Sequence, residues 1–184
     1  MKIALSSLAL LASVASVFSA SQVHASDAIN DYVLGARFSN NASVNNDVFN
    51  QFGVNFMQLT GKGNYGFAAN VDYLNNTQNT QLTENATSES TDFYSLTVSV
   101  GPVYGVTKDF YVSPKIGLNI SKKEEREYKG MTVTSESTTS KQTPIYGIDF
   151  HWVSGHIVSG IGFHSVESFG DRAVQTSASI GYKF

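Results

Sequence analysis

The chain has 184 residues, a formal net charge of −3 and no cysteine. This length favours one domain, the acidic balance argues against a nucleic-acid partner, and the lack of cysteine excludes disulfides as a source of stability. No stretch after the N-terminal region approaches 18 consecutive apolar residues, which excludes a helical membrane protein.

Residues 1–25 have the pattern of a secretory signal peptide. Lys2 supplies the positive start, an apolar run follows from Ile3 to about Phe18, and small residues flank His24 at the cleavage positions. The apolar run is short for a bilayer span and rich in serine and alanine. We therefore expect cleavage after Ala25 and one mature domain over residues 26–184.

Eight segments of the mature chain alternate apolar and polar residues with a period of two, which is the pattern of β-strands. In chain order they span 32–39, 49–59, 65–74, 93–104, 110–120, 143–152, 156–164 and 174–184. The connections alternate in length: 60–64, 106–109 and 153–155 are short, whereas 40–48, 75–91, 121–141 and 165–172 are longer and polar. The alternation predicts an up-and-down meander with two unlike ends.

The two faces of these strands differ in bulk as well as in polarity. The apolar face carries large Phe, Tyr, Ile and Trp side chains, whereas ten of the 15 glycines fall on the opposite, small and polar face. A water-soluble barrel encloses its bulky face, but the narrow interior of an eight-stranded barrel suits small residues. A bulky apolar outer face is typical of β-barrels that span a membrane. We therefore predict an all-β fold, an eight-stranded antiparallel up-and-down transmembrane β-barrel.

Aromatic residues near the strand ends are expected to form girdles at the two membrane interfaces. At the short-turn rim these are Tyr104, Phe110, Trp152 and Phe184, and towards the other rim they are Phe38, Tyr73, Tyr94 and Tyr146.

The chain ends in VQTSASIGYKF, and its alternation continues to the last residue. Ile180, Tyr182 and Phe184 resemble the C-terminal signal that bacterial outer-membrane barrels present to their insertion machinery. With the signal peptide, the eight strands and the unequal connections, the sequence resembles the small outer-membrane barrels of the OmpX/Ail and OmpA-transmembrane-domain type. The resemblance implies an outer-membrane β-barrel domain over 26–184, a monomer in contact with lipid and lipopolysaccharide, and no cofactor.

Four of the charged residues on the inward face of the predicted barrel are candidates for interior ion pairs. Arg37 and Asp72 lie near the outer end, while Lys115 and Asp149 lie on adjacent strands near mid-depth. Because an unpaired buried charge is expensive, we expect interior ion pairs that plug the lumen and leave conduction at most small. A narrow low-conductance pore is the alternative, since the many inward glycines would loosen the packing.

The polar connections 75–91 and 121–141 are the candidate surfaces for an extracellular partner. Segment 121–141 is predicted to extend two strands beyond the membrane as a hairpin, whose edge could bind a partner. Lys122, Lys123 and Arg126 lie where lipopolysaccharide phosphates would be. The plainer interpretation is that both segments are solvated loops, and the sequence leaves this choice open.

Two histidine-containing motifs are candidate chemical sites. In FHSVES, His164, Ser165 and Glu167 would serve an enzyme that modifies lipid A in the outer leaflet. Because adjacent strand residues point to opposite faces, we favour a protein without enzymatic activity. In HWVSGH, His151 and His156 both face inward by register, but two ligands without a third make a weak metal site, and none is predicted.

Overall fold

The computed structural model describes residues 31–44, 47–82, 87–129, 132–168 and 171–184. The described residues form eight strands: β1 (Asp31–Val44), β2 (Asp47–Leu59), β3 (Tyr65–Leu82), β4 (Thr87–Gly105), β5 (Phe110–Lys129), β6 (Thr132–Ser154), β7 (Ile157–Ser168) and β8 (Asp171–Lys183). None of the described residues belongs to a helix long and apolar enough to cross a membrane. The predicted signal peptide lies outside these ranges.

Each strand pairs antiparallel with the next, and β8 returns to pair with β1, so that the sheet closes into a barrel. This confirms the predicted fold. The last residue takes part in the closure. The backbone N–H of Phe184 donates to the carbonyl oxygen of Tyr32 at 2.9 Å, and the N–H of Tyr32 donates back at 3.2 Å. Pairing with β1 therefore explains why the alternating pattern reaches the end of the chain.

The bulky apolar residues lie on the outside of the barrel. Leu34, Ile116 and Ile180 are 57, 69 and 61 % exposed, whereas Asn70 and Thr97 on the other face are buried. Such an arrangement leaves the apolar side chains available to lipid, and closure satisfies the backbone hydrogen bonds that lipid cannot satisfy.

Strands β3 to β6 are much longer than the other four. They have 18, 19, 20 and 23 residues, against 12 to 14 for β1, β2, β7 and β8. Their extra length forms a sheet beyond the barrel, which we call the projecting sheet. It consists of residues 75–82, 87–92, 121–129 and 132–141. The predicted extension of 121–141 is thus present, and most of 75–91, expected to be a connection, also belongs to strands.

The short turns follow the predictions for 60–64 and 106–109, but the third turn lies further along the chain. β6 continues to Ser154, and the turn consists of Gly155, at a φ of 61°, and His156. His156 is exposed and stacks on Tyr182 at 5.4 Å. The prediction that His156 faces inward is therefore wrong, because the strand ends before the period-two pattern reaches it.

The inner face is apolar at the short-turn end. Its buried cluster contains Val33, Met57, Leu59, Ala68, Val103, Tyr111 and Val158. The expectation that this face is small and polar throughout is wrong here. Burial of each larger apolar side chain stabilises the fold by roughly 1.5–3 kcal/mol, so this end of the barrel has a conventional hydrophobic core.

Candidate functional site

Arg37 is the centre of a buried ionic cluster in the lumen. Its Nε lies 3.2 Å from Oδ2 of Asp72, and its Nη1 lies 3.2 Å from Oδ2 of Asp149, with all three side chains only 1–2 % exposed. Asn70 donates to the same Asp149 oxygen at 2.9 Å. His164 places Nδ1 3.0 Å from Arg37 Nη2 and Nε2 2.9 Å from Asp149 Oδ1. The guanidinium of Arg37 therefore contacts two carboxylates and one imidazole.

The structure does not place Lys115 against Asp149. Register sets Lys115 opposite Gly147 and Asp149 opposite Ser113, and Asp149 turns towards Arg37 across the barrel. Among the described residues, the buried Lys115 Nζ has no hydrogen-bond partner. His164 was not predicted as a member of the cluster. Its period-two position two residues after Gly162 was the available signal, but FHSVES was interpreted only as a candidate enzymatic motif.

The inward glycines make room for the ionic cluster and do not loosen it. A Cβ at Gly53 would overlap Asp72 Oδ1, and one at Gly162 would overlap Asp149 Oδ1. A Cβ at Gly147 would overlap the ring of His164. The glycines therefore allow large polar side chains to fill a narrow barrel.

A second polar layer crosses the lumen nearer the projecting sheet. Gln175 on β8 donates to Gln51 Oε1 on β2 at 2.8 Å, and Gln51 donates to Ser95 Oγ on β4 at 3.4 Å. Ser95 donates to Asn119 Oδ1 on β5 at 2.6 Å, and Asn119 Nδ2 donates to the carbonyl oxygen of Glu167 on β7 at 3.0 Å. Side chains of four strands thus form a continuous hydrogen-bonded chain to a fifth, and they span the barrel.

The described interior therefore includes three layers: the apolar cluster at the short-turn end, the ionic cluster in the middle and this amide layer above it, where Leu74, Phe93, Ile145 and Val166 are also buried. Each layer joins strands from opposite sides of the barrel. The interior of an eight-stranded barrel is just wide enough for side chains to fill. In this barrel, the side chains of the three layers occupy the lumen.

The cations proposed for lipopolysaccharide contact are paired within the projecting sheet. Arg126 donates to one carboxylate at 2.9 Å, to a second at 3.1 Å and to a third at 3.2 Å. Lys122 and Lys123 each pair with a glutamate two residues further along β5. The carboxylate partners of the three cations are Asp92, Glu124, Glu125 and Glu136. Much of the positive charge of Lys122, Lys123 and Arg126 is therefore balanced locally.

His164, Ser165 and Glu167 do not meet. His164 is buried in the lumen, whereas Ser165 accepts a hydrogen bond from Arg172 Nη1 on the outer side at 3.2 Å. Glu167 pairs with Lys141 and Arg172, and the hydrogen bond from Lys141 holds the pKa of this carboxyl below its ordinary value. The structure therefore brings no base to Ser165 from this motif.

Comparison of the sequence with protein-family models and with curated proteins gives no match. Comparison of the fold with solved structures does give matches. The crystal structure of Ail, the attachment invasion locus protein of Yersinia pestis, matches with a TM-score of 0.62 at 14 % identity, over 84 % of this chain and 97 % of that chain. The chain has the fold of small outer-membrane barrels.

Two further structures share this outer-membrane barrel fold. Ail in complex with the heparin analogue sucrose octasulfate matches with a TM-score of 0.60 at 12 % identity, over 84 % of this chain and 99 % of that one. A major outer membrane protein from Thermus thermophilus matches with a TM-score of 0.52 at 9 % identity, over 83 % of this chain and 99 % of that one.

In this outer-membrane barrel fold, aromatic pairs lie near both ends of the apolar outer face. At the short-turn rim, the ring centroids of Phe110 and Trp152 are 5.3 Å apart. At the other rim, those of Phe38 and Phe52 are also 5.3 Å apart. Tyr146 lies on that side too, with the guanidinium of Arg172 5.3 Å from its ring centroid. Rings at these positions suit the two interfaces of a membrane.

No described cluster of three His, Cys, Asp or Glu side chains could hold a metal ion. Of the two histidines in HWVSGH, His151 is buried in the lumen and His156 is exposed at the turn. The two rings therefore do not share a face.

Proposed function

We propose that this protein is a non-enzymatic, monomeric barrel of the bacterial outer membrane that presents the projecting sheet to a protein outside the cell. The observation that carries this proposal is the open edge of β6. β6 pairs with β5 out to Thr132, but its pairing with β7 begins only at Tyr146. Within the described chain, residues 132–145 therefore have a strand neighbour on one side only.

An open strand edge offers backbone donors and acceptors to an extended segment of another protein. Proteins usually protect such an edge with charges or proline. Residues 132–143 carry only Glu136 and Lys141 as charges, and Pro144 marks the end nearest the barrel. A row of exposed Thr and Ser suits pairing with a polar, extended peptide.

The proposed location is supported by the bulky outer face and the aromatic pairs at its two ends. The three interior layers support a structural role over a pore, so steady conductance in planar bilayers is not expected. Ile180, Tyr182 and Phe184 are proposed to serve recognition by the insertion machinery. Contact of lipopolysaccharide with Lys122, Lys123 and Arg126 stays a prediction, and their carboxylate partners weaken it.

The test compares adhesion of bacteria that express three forms of the protein to surfaces coated with extracellular-matrix proteins. One form is unaltered, one lacks residues 124–138, and the matched control K122Q/R126Q alters the charged face but keeps the edge of β6. We expect the trimmed form to lose adhesion and the control to retain it. Equal adhesion by a trimmed but folded barrel would contradict the proposal, and loss in the control as well as in the trimmed form would assign binding to charge.

A further inference from the structure

The ladder between β4 and β5 is interrupted near the short-turn end. Val100 pairs with Ile116 and Tyr104 pairs with Val112, in the same register, but the three positions between them are not paired. This register sets Pro102 opposite Pro114. Because proline has no backbone N–H, neither residue can donate across the strand pair.

The interruption is closed towards the lumen and open towards the outside. On the inner side, the buried Ser113 hydroxyl donates to the carbonyl oxygen of Pro102 at 2.8 Å. This bond replaces a backbone donor that Pro114 lacks. On the outer side, both proline rings are exposed.

A cavity of about 410 Å³ lies at this position. Its lining includes Gly66, Phe67, Val100, Pro102, Pro114 and Ile116. This volume is within the range of about 300–1,000 Å³ that small-molecule sites have. Phe67, Val100 and Ile116 belong to the apolar outer face, so the cavity suits an apolar chain.

Two exposed lysines lie in the short turns at the end of the barrel nearer this cavity. Lys62 is in the β2–β3 turn and Lys108 is in the β4–β5 turn. The two turns are held together, since the N–H of Gly63 donates to the carbonyl oxygen of Gly105 at 2.8 Å. The carboxylate of Asp109 is 3.9 Å from Lys108 Nζ, and both side chains are largely exposed, so that this pair contributes little. The positive charge at this rim therefore remains available to a phosphate.

We propose that the cavity and the two lysines form a binding site for one phospholipid of the membrane leaflet at the short-turn side. An acyl chain lies between Pro102 and Pro114, and the lipid phosphate pairs with Lys62 and Lys108. Pro102 lies four positions before Val106, the first residue of the turn, or roughly 13 Å along a strand, which an acyl chain spans. The inference rests on the proposed function, because only an embedded barrel meets phospholipid at this depth.

The experiment measures lipid retained by the mature chain, refolded in detergent and mixed with dioleoylphosphatidylglycerol, by native mass spectrometry after gel filtration. The unaltered protein is expected to retain one lipid per barrel. P102V/P114V restores both backbone donors and should reduce retention by about tenfold or more. The matched control P144V changes the third proline of the chain, outside the cavity, and should retain lipid as the unaltered protein does.

Two further variants separate the parts of the site. I116W fills the cavity without changing the ladder, and it keeps the test valid if P102V/P114V fails to fold. K62Q/K108Q keeps the cavity and should lower retention of phosphatidylglycerol several-fold. Equal retention by P102V/P114V, I116W and the unaltered barrel would overturn the site, as would a dimer mass in place of bound lipid.

The two proposals fail differently in this experiment. A barrel that folds in detergent, as shown by different gel migration before and after boiling, but retains no lipid overturns the site alone. A chain that stays in solution without detergent overturns the membrane location and the lipid site together.

Discussion

Replacement of Arg37 by methionine tests whether the ionic cluster supports the barrel. The substitution leaves Asp72 and Asp149 buried without the cation that lies 3.2 Å from each. Removal of one partner of a buried ion pair costs about 3–5 kcal/mol. Because Arg37 serves two carboxylates that are each 1 % exposed, we expect a loss in the upper part of that range.

The assay is guanidinium unfolding in detergent micelles, followed by the fluorescence of Trp152, the only tryptophan of the chain. R37M/D72N/D149N removes both carboxylate charges and should recover most of the loss, since replacement of a whole buried ion pair is often near neutral. Arg172→Met is the control at the exposed rim and should cost less than about 1 kcal/mol. The reasoning is refuted if Arg37→Met costs no more than Arg172→Met.

Three other predictions test the packing, the outer rim and the closure. Gly162→Ala should lower the free energy of unfolding by about 1–3 kcal/mol in the same assay because its Cβ would overlap Asp149 and Ser177, and an effect no larger than that of outward Ser159→Ala would contradict this. The hydrogen bond from Lys141 lowers the pKa of Glu167 below its ordinary value of 4.5. The contact between the two side chains therefore stabilises the fold above that pH and weakens as the pH falls. Lys141→Met should therefore raise the carboxyl midpoint in a ¹³C NMR titration, and an unchanged midpoint would oppose this. Deletion of Phe184 removes two backbone hydrogen bonds to Tyr32 and should slow insertion into vesicles, as followed by gel migration; an unaltered rate would argue against a role in assembly.

The eight strands and their outward faces could be predicted because each strand of the barrel has a bulky apolar face and a small or polar one. Apolar residues recur at most alternate positions in eight separate segments between Tyr32 and Phe184, and this period of two is the pattern of a strand with one apolar face. The projecting sheet was only partly predictable. Its ladder needs backbone groups alone, so residues 75–82 pair with β4 as regularly as the rest of β3 does, although nearly all of their side chains are Asn, Thr and Gln. The apolar pattern therefore ends before the strand does.

The partners inside the lumen could not be predicted from strand neighbours. Lys115 and Asp149 lie on adjacent strands, yet Asp149 contacts Arg37 from the other side of the barrel. In a narrow barrel, a long side chain can reach a strand on the opposite side of the lumen as easily as a neighbouring strand. Which of these contacts forms depends on the three-dimensional closure of the sheet. The apolar cluster at the short-turn end could not be predicted for a different reason. Glycine and polar residues outnumber apolar ones on the inner face of the barrel as a whole, and this average hides the few apolar residues at one end.

The most direct test of the account is the orientation of β8 in a membrane. The chain has no cysteine, so a spin label can be attached at single cysteines placed one by one from Val174 to Tyr182 in the barrel refolded into vesicles. We predict that labels at 174, 176, 178, 180 and 182 collide strongly with oxygen dissolved in lipid, and that labels at the positions between them do not. Oxygen collisions that do not alternate, or that alternate in the opposite phase, would contradict an outward apolar face and with it the membrane barrel.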